Sequence, residues 1–197
     1  PSDPVPKPKT RVRTGLIRTR PNTDAALSSV KEVFPGILAQ RPNTKMYVVG
    51  GDPPDEVLRL ASTNVIVTGG VPDVRPFVHK ATVVVVPLRM GGGTRLKVLE
   101  GLSMKKAMVS TTLGCEGIAV AHEEHLLIAD TPMSFVQAVL RLMDDPTTGA
   151  RLAHSGQTLV HAHYRWESIV DRLEALYEEV LRGSQRGATR TESQALK

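Results

Sequence analysis

Residues 87–100, PLRMGGGTRLKVLE, have the composition of an anion-binding loop followed by a helix. The three consecutive glycines at 91–93 let backbone amides approach a ligand without an intervening Cβ. A helix predicted to begin near Thr94 adds unpaired N–H groups and the positive end of its dipole. Three cations lie at the same turn: Arg89, Arg95 and Lys97. This combination suits a diphosphate, and the alternative is a flexible turn with exposed cations. Residues 87–95 are called the triglycine loop below.

Two common nucleotide-binding motifs are absent from the sequence. There is no G-x-x-x-x-G-K-[ST] run, which excludes a Walker A loop. There is also no G-x-G-x-x-G after the first predicted strand, which argues against a nicotinamide-binding Rossmann fold. The sequence therefore favours a nucleotide bound in another geometry.

Glu100 lies three residues after Lys97, in the second turn of the predicted helix. Its carboxylate can accept two hydroxyl hydrogen bonds from a ribose. The alternative is a surface ion pair with Lys97, worth about 0.2–0.5 kcal/mol. Local spacing does not choose between these two interpretations.

Two arginines, Arg18 and Arg20, follow the first predicted strand in a loop that Gly15 opens. At the carboxyl end of a strand, guanidinium groups can clamp a phosphate. The alternative is an ordinary solvated loop.

Two further loops are expected at the same edge of the sheet. After the third strand, backbone groups at Gly70 and Val71 can meet the flat edge of a nucleobase. The alternative is a plain turn in which Asp73 is the N-cap of the next helix. Glu116 follows the fifth strand in a glycine-flanked loop, and we expect it to face the same crevice.

Thiol and metal chemistry have little support in the sequence. Cys115 is the only cysteine, which rules out an internal disulfide and a cysteine-built zinc site, and no histidine spacing marks it as a nucleophile. His161 and His163 are two residues apart and lie on different helix faces. No metal and no cofactor are predicted, and no catalytic residue is identified.

Short runs rich in Val and Ile alternate with helical patterns, which predicts an α/β fold with a doubly wound parallel sheet and extra C-terminal helices. The predicted strands are 11–17, 45–49, 64–67, 82–86, 107–110 and 125–129. The predicted helices are 24–40, 55–61, 73–80, 95–104, 132–144, 147–163 and 166–182. Ligands of such sheets bind outside the carboxyl ends of the strands, where the strand order reverses.

Composition and charge exclude several classes of protein. Residues 1–20 contain six basic residues and one acidic residue, which accounts for the whole net charge of +5. With no broad basic face and only 4% aromatic residues, a nucleic-acid-binding protein is not expected. No apolar run reaches the roughly 20 residues of a membrane helix, and the proline-rich start lacks a secretory signal. A cytoplasmic protein is expected.

Residues 87–117 resemble the carboxyl-terminal half of bacterial group 1, family 4-like GT-B glycosyltransferases. Further matching pieces follow in the expected order: RPNTDA at 20–25, VGG at 49–51, VTGGVPDVRP at 67–76 and YRWE at 164–167. The resemblance covers about residues 11–182. The predicted organisation is therefore a linker at 1–10, a nucleotide-sugar donor-binding domain at 11–182 and a flexible tail at 183–197.

The resemblance implies a metal-independent transferase of the hexosyltransferase type, acting in polysaccharide biosynthesis. Its substrate would be a UDP- or GDP-linked sugar, transferred to an acceptor hydroxyl, with Glu100 on the ribose and the triglycine loop on the diphosphate. The donor-binding residues would be Arg18, Arg20, Val71, Gly92, Gly93, Thr94, Arg95, Lys97, Glu100 and Glu116.

The sequence departs from the family pattern in two ways. The first glutamate of the family's E-x7-E element, which in many relatives touches the transferred sugar, falls on Gly92, so Glu116 or backbone groups would have to replace it. The N-terminal acceptor domain is missing, and since the chain lacks an initiator Met we expect it to begin inside a longer product. On its own it would be an incomplete enzyme, whose full-length form would associate peripherally with the inner face of the membrane.

Two other functions stay open on the sequence. One is a non-catalytic nucleotide-binding module that regulates a partner, and the other is a nucleotide-sugar epimerase-like GT-B protein. The sequence identifies neither the sugar, the base and the acceptor, nor the stereochemical outcome and the oligomeric state.

Overall fold

A parallel β-sheet forms the centre of the fold. The computed structural model describes residues 10–14 and 17–195, with side chains described for residues 17–182. The described strands lie in the order β3-β2-β1-β4-β5-β6, and all neighbours are parallel. Their bounds are β1 Thr10–Thr14, β2 Lys45–Val49, β3 Val65–Gly69, β4 Val83–Val86, β5 Met108–Ser110 and β6 Leu127–Ile128. The predicted doubly wound fold is confirmed, and the strand order reverses between β1 and β4.

α-Helices connect the strands from β1 to β5, as expected of repeated β-α units, and a short 3-10 helix, Leu113–Cys115, lies between β5 and β6. Their bounds are α1 Arg20–Ser28, α2 Phe34–Gln40, α3 Asp55–Leu58, α4 Arg75–Lys80, α5 Leu96–Ser103, α6 Pro132–Asp144, α7 Pro146–His163 and α8 Trp166–Ala195. A π-helical segment, Ser29–Val33, lies between α1 and α2 without a break in the chain. The sequence predicts one α-helix over 24–40, so both the earlier start at Arg20 and the π segment are corrections.

The first unit of the chain, residues 1–159, contains the sheet and its core. All four residues of β4 are buried, as expected of a central parallel strand covered on both faces. Phe34 and Ile37 of α2 pack into one apolar cluster with Leu142 of α6 and Leu152 of α7. This core holds the carboxyl ends of β1 and β4 next to each other.

The second unit, residues 160–197, consists mainly of α8. The backbone of α8 is helical as far as Ala195, beyond residue 182 where the sequence predicts its end. The flexibility of residues 183–197 stays a prediction. The predicted linker at 1–10 lies outside the described residues except for Thr10, which begins β1. Within the described part of the chain, no helix has the length and apolarity needed to cross a membrane.

Candidate functional site

A cavity of about 370 Å³ opens at the position where the strand order reverses. It lies between the start of α1, after β1, and the triglycine loop, after β4. Its lining residues are Thr19, Pro21, Asn22, Val86, Leu88, Met90, Gly92, Gly93, Thr94, Arg95, Leu96, Lys97 and Gly114. Five of the predicted donor-binding residues therefore line one cavity: Gly92, Gly93, Thr94, Arg95 and Lys97.

The three glycines of the triglycine loop have different surroundings. Gly91 has φ +100°, and a Cβ there would lie 2.7 Å from Cγ of Pro21, so the loop packs tightly on the start of α1. A Cβ at Gly92 or Gly93 would meet no protein atom within 4 Å. One glycine thus fastens the loop, while the other two border open space in the cavity.

Arg95 occupies the N-cap position of α5, in the left-handed conformation with φ +52°. The helix therefore begins at Leu96, one residue after the start of the predicted range 95–104. Left-handed backbone is unusual for a residue with a side chain. It turns the arginine into the protein, where its side chain is only 3% exposed.

The buried guanidinium of Arg95 links two loops. Its Nη2 donates to the carbonyl of Gly91 at 3.0 Å and to Oε2 of Glu116 at 2.9 Å. Its buried Nε has no hydrogen-bond partner among the described residues. The carboxylate of Glu116, by contrast, is 65% exposed. Glu116, which we expected to face the crevice, pairs with Arg95 of the cavity lining but is not itself among the lining residues.

Lys97, the second residue of α5, lines the cavity and contacts the start of α1. Its Nζ donates to Oδ1 of Asn22, whose own Nδ2 donates to Oγ1 of Thr19 at 2.9 Å. Thr19 and Asn22 also line the cavity, and sequence analysis did not single them out. Their position directly after β1 was the available signal.

Glu100 and Val71 line a second cavity, of about 380 Å³. The other lining residues are Pro72, Asp73, Val74, Arg75, Ser103 and Met104. Glu100 is exposed, and its carboxylate makes no ion pair with Lys97 within the described residues. The structure thus brings together the two residues that the sequence assigned to the ribose and the base.

The turn before α4 differs in detail from its prediction. The helix begins at Arg75 and its N-cap residue is Val74, so Asp73 is not the N-cap. Asp73 nevertheless accepts a hydrogen bond from the Arg75 amide at 2.9 Å and pairs with the Arg75 guanidinium. These contacts lower the pKa of the Asp73 carboxyl below its ordinary value.

Arg18 and Arg20 are both exposed on either side of Thr19. Arg20 is the first residue of α1, and Pro21 and Asn22 follow it into the cavity lining. Neither arginine is among the residues that line the cavity, so their contact with a phosphate stays a prediction.

Arg89 does not line the cavity as a free cation of the triglycine loop. Its guanidinium pairs with Asp24 of α1 and Glu32 of the π segment, and both contacts raise its pKa further above the ordinary value. It lines a separate cavity of about 150 Å³ together with Glu32. The sequence analysis placed Arg89 at the diphosphate site, but its guanidinium is paired with two carboxylates of the protein.

Cys115 is buried, and burial raises the pKa of its thiol. A buried protonated thiol is a poor nucleophile, in agreement with the sequence analysis. No group of His, Cys, Asp and Glu side chains suited to a metal ion occurs among residues 17–182.

Comparison with known families identifies a match over most of the sheet-containing unit. The sequence model of the family described as "Glycosyl transferases group 1" matches residues 12–145. A curated Klebsiella pneumoniae protein, described as an uncharacterized 44.6 kDa protein in the cps region, is 20% identical over 152 residues, which are 73% of this chain and 39% of that protein. The glycosyltransferase 1 domain-containing protein 1 of Xenopus tropicalis is 24% identical over 99 residues, 50% of this chain and 29% of that protein. The chain thus spans well under half the length of these curated relatives.

Solved structures share the fold at low sequence identity. Sucrose-phosphate synthase from Thermosynechococcus elongatus matches with a TM-score of 0.71 and 21% identity, over 91% of this chain and 47% of that one. Anabaena HepE, solved with UDP and glucose, matches with a TM-score of 0.72 and 11% identity, over 87% and 48%. The C-terminal domain of a Francisella tularensis group 1 glycosyl transferase, LpcC, matches with a TM-score of 0.67 and 18% identity, over 80% and 87%.

Proposed function

The chain belongs to the group 1 glycosyltransferases, as a partial chain that resembles their C-terminal domain, and from this premise we propose that it is the donor-binding half of a transferase. The proposed donor is a UDP- or GDP-linked sugar, and the proposed reaction moves the sugar to an acceptor hydroxyl. The observation that carries the proposal is the cavity of about 370 Å³ at the strand reversal, bordered by Gly92 and Gly93.

We place the diphosphate against the triglycine loop. Because no Cβ occupies the space beside Gly92 and Gly93, a phosphate can approach their backbone. The N-terminus of α5 and the ammonium of Lys97 supply positive potential at the same position. Arg18 and Arg20, which are exposed on the segment that leads into the cavity-lining residues Pro21 and Asn22, would add cations for the outer phosphate.

The nucleoside is assigned to the second cavity. Glu100, which is exposed and lines this cavity, would accept hydrogen bonds from two ribose hydroxyls. The backbone beside Val71 would meet the base. Anabaena HepE, which shares the fold, was solved with UDP and glucose, and this supports a nucleotide diphosphate as the ligand class.

Transfer leaves a nucleotide diphosphate on which negative charge develops. Amides of the triglycine loop, the α5 N-terminus and Lys97 would stabilise this charge as it forms, which is how differential binding lowers a barrier. Arg95, the last residue of the loop, would add positive charge, and Glu116 is the carboxylate paired with it. Groups that activate the acceptor hydroxyl belong, in this proposal, to an acceptor domain outside the chain.

Calorimetry with UDP, GDP, UMP and GMP in the presence of EDTA tests the proposal. We expect one diphosphate to bind with a Kd below about 1 mM, and its monophosphate to bind at least about tenfold more weakly because it lacks the second phosphate. Equal affinity for mono- and diphosphate, or no binding at all, would contradict the proposed site.

Transfer itself requires a separate experiment. The chain is joined to the acceptor domain of a group 1 glycosyltransferase, and sugar transfer is measured for the fusion and for the chain alone. A donor-binding half predicts transfer only in the fusion. Nucleotide binding without transfer in any fusion favours a regulatory module.

A further inference from the structure

The guanidinium of Arg89 holds two carboxylates that come from different parts of one helix. Its Nη2 and Nε contact Asp24 of α1 at 2.8 and 3.1 Å. Its Nη1 contacts both carboxylate oxygens of Glu32 at 3.0 Å. Arg89 lies in the triglycine loop, two residues before Gly91. These three residues, Asp24, Arg89 and Glu32, are called the arginine clamp below.

The π segment Ser29–Val33 explains how Asp24 and Glu32 reach the same guanidinium. In a regular α-helix, residues eight positions apart differ in direction by about 80°, since each residue turns by about 100°. A π turn accommodates one extra residue, which reduces the difference to about 20°. The π segment therefore turns Glu32 towards the face that carries Asp24.

Two further contacts join the triglycine loop and the residues directly after it to the start of α1. Gly91 packs against Pro21 so closely that a Cβ would lie 2.7 Å from Cγ. Lys97, just after the loop, donates to Asn22. The arginine clamp is the third attachment, and Glu32 is the part of it furthest along the helix from the cavity.

We propose that Glu32 is a positioning residue of the nucleotide site, which acts through Arg89 to hold the triglycine loop in place for a diphosphate. This inference rests on the proposed function for its ligand. Glu32 touches no ligand itself, because it lines the separate cavity of about 150 Å³ and not the one at Gly92 and Gly93.

A role in stability alone predicts a different outcome. The side chains of Arg89 and Glu32 are 45% and 42% exposed, and ion pairs this exposed contribute little to the free energy of unfolding. The clamp joins a loop to a helix, however, so its loss changes where the loop lies even when the fold keeps its stability. The informative measurements are therefore ligand affinity and local loop protection.

The first experiment is a double-mutant cycle on diphosphate affinity, made with Glu32→Ala, Arg89→Ala and the double variant. Calorimetry at 20 °C uses whichever of UDP and GDP binds the unaltered chain. We expect Glu32→Ala to raise Kd about threefold to tenfold, and the double variant to bind no more weakly than Arg89→Ala, because both changes break one linkage. Lys31→Ala, an exposed neighbour in the same π segment, is the matched control.

Conservative variants sharpen this cycle. Glu32→Gln keeps an acceptor oxygen and should fall between Glu32→Ala and the unaltered chain. Arg89→Lys keeps the charge but presents a single ammonium instead of a planar fork, so we expect it to bind as weakly as Arg89→Ala. A Kd for Glu32→Ala within about twofold of the Lys31→Ala control would overturn the proposal.

A second experiment needs no ligand. Amide hydrogen exchange is measured for residues 90–95 in the full chain, and we expect Glu32→Ala, but not Lys31→Ala, to increase their exchange about threefold or more. If the unaltered chain binds neither UDP nor GDP, the proposed function fails, and this exchange experiment decides alone whether Glu32 positions the loop. Unchanged exchange in Glu32→Ala would overturn the inference whatever the calorimetry gives.

Discussion

Arg95 and Glu116 form an ion pair with 2.9 Å between Nη2 and Oε2, although their side chains are 3% and 65% exposed, respectively. The buried guanidinium also donates to the Gly91 carbonyl of the same loop, while the Glu116 carboxylate is largely open to solvent. Among the described residues, this carboxylate is the anion that compensates the buried charge. The geometry of the site predicts effects on stability and on nucleotide affinity that can be measured on this chain.

Removing the carboxylate of Glu116 should leave the buried guanidinium without its anion. We expect Glu116→Ala to lower the free energy of unfolding by about 1–2 kcal/mol, since Arg95 is buried while its partner is partly screened by water. Glu116→Gln, which keeps an acceptor oxygen, should lose less. Urea denaturation compares both with Glu124→Ala, whose carboxylate is equally 65% exposed and lies 3.7 Å from His125. Equal losses for Glu116→Ala and Glu124→Ala would contradict this account of the pair.

Adjacent glycines of the triglycine loop should respond differently to alanine. Gly91→Ala places a Cβ 2.7 Å from Pro21 at φ +100°, so we expect a loss of about 1–3 kcal/mol in stability. Gly92→Ala meets no atom within 4 Å and should leave the unfolding midpoint unchanged while weakening diphosphate binding. Thermal unfolding and calorimetry are measured on both variants, and each variant is the control for the other. Unchanged diphosphate affinity in Gly92→Ala would show that the diphosphate does not bind beside Gly92.

Glu100→Ala tests the proposed ribose contact. We expect nucleotide binding to weaken by about 1–3 kcal/mol, because hydroxyl groups of the ribose lose their acceptor. Since Glu100 is exposed, the stability of the fold should not change. Calorimetry compares this variant with Glu174→Ala, which removes an exposed carboxylate from α8. Nucleotide affinity equal to that of Glu174→Ala would show that Glu100 is an ordinary surface residue without a ribose contact.

The raised pKa of Cys115 predicts a pH dependence of stability. The unfolded thiol ionises above about 8.5, whereas burial keeps the folded thiol protonated to a higher pH. The contribution is therefore present in full below the unfolded pKa and is lost as the pH rises towards and through the folded pKa. Urea denaturation at pH 7.5 and 9.5, run on the unaltered chain and on Cys115→Ala, measures this difference. We expect the unaltered chain to lose more stability than the variant, and parallel losses would show that the thiol is not the cause.

Elements with a strong local signal were predicted well. The strand over 45–49 and the helix over 132–144 have the predicted bounds, and a Pro at the first position together with Thr131 as the cap marks the helix start. The helix over 24–40 was predicted without its π segment. No local sequence pattern predicts the extra residue of the π segment. Its consequence is the direction of the Glu32 side chain relative to Arg89, which lies 57 residues away in sequence.

The cations of the triglycine loop show the limit of sequence analysis. Arg89, Arg95 and Lys97 are equivalent as charges within one turn, but each has a different environment. Arg89 is paired with carboxylates up to 65 residues away, Arg95 is buried on Glu116, and Lys97 lines the cavity. Residue type and spacing predict that a cation is present in the loop. Which groups it pairs with depends on the segments, distant in sequence, that pack against it.

The alternation of buried strands with helices was sufficient to determine the fold class, because both periodicities are properties of short segments. The triglycine loop and its neighbours were sufficient to place a candidate site at the carboxyl ends of the strands. The tertiary structure alone decided the strand order, the left-handed turn that buries Arg95, and the helix face on which Glu32 meets Arg89. These features depend on contacts between residues distant in sequence, whose free energies no local pattern contains.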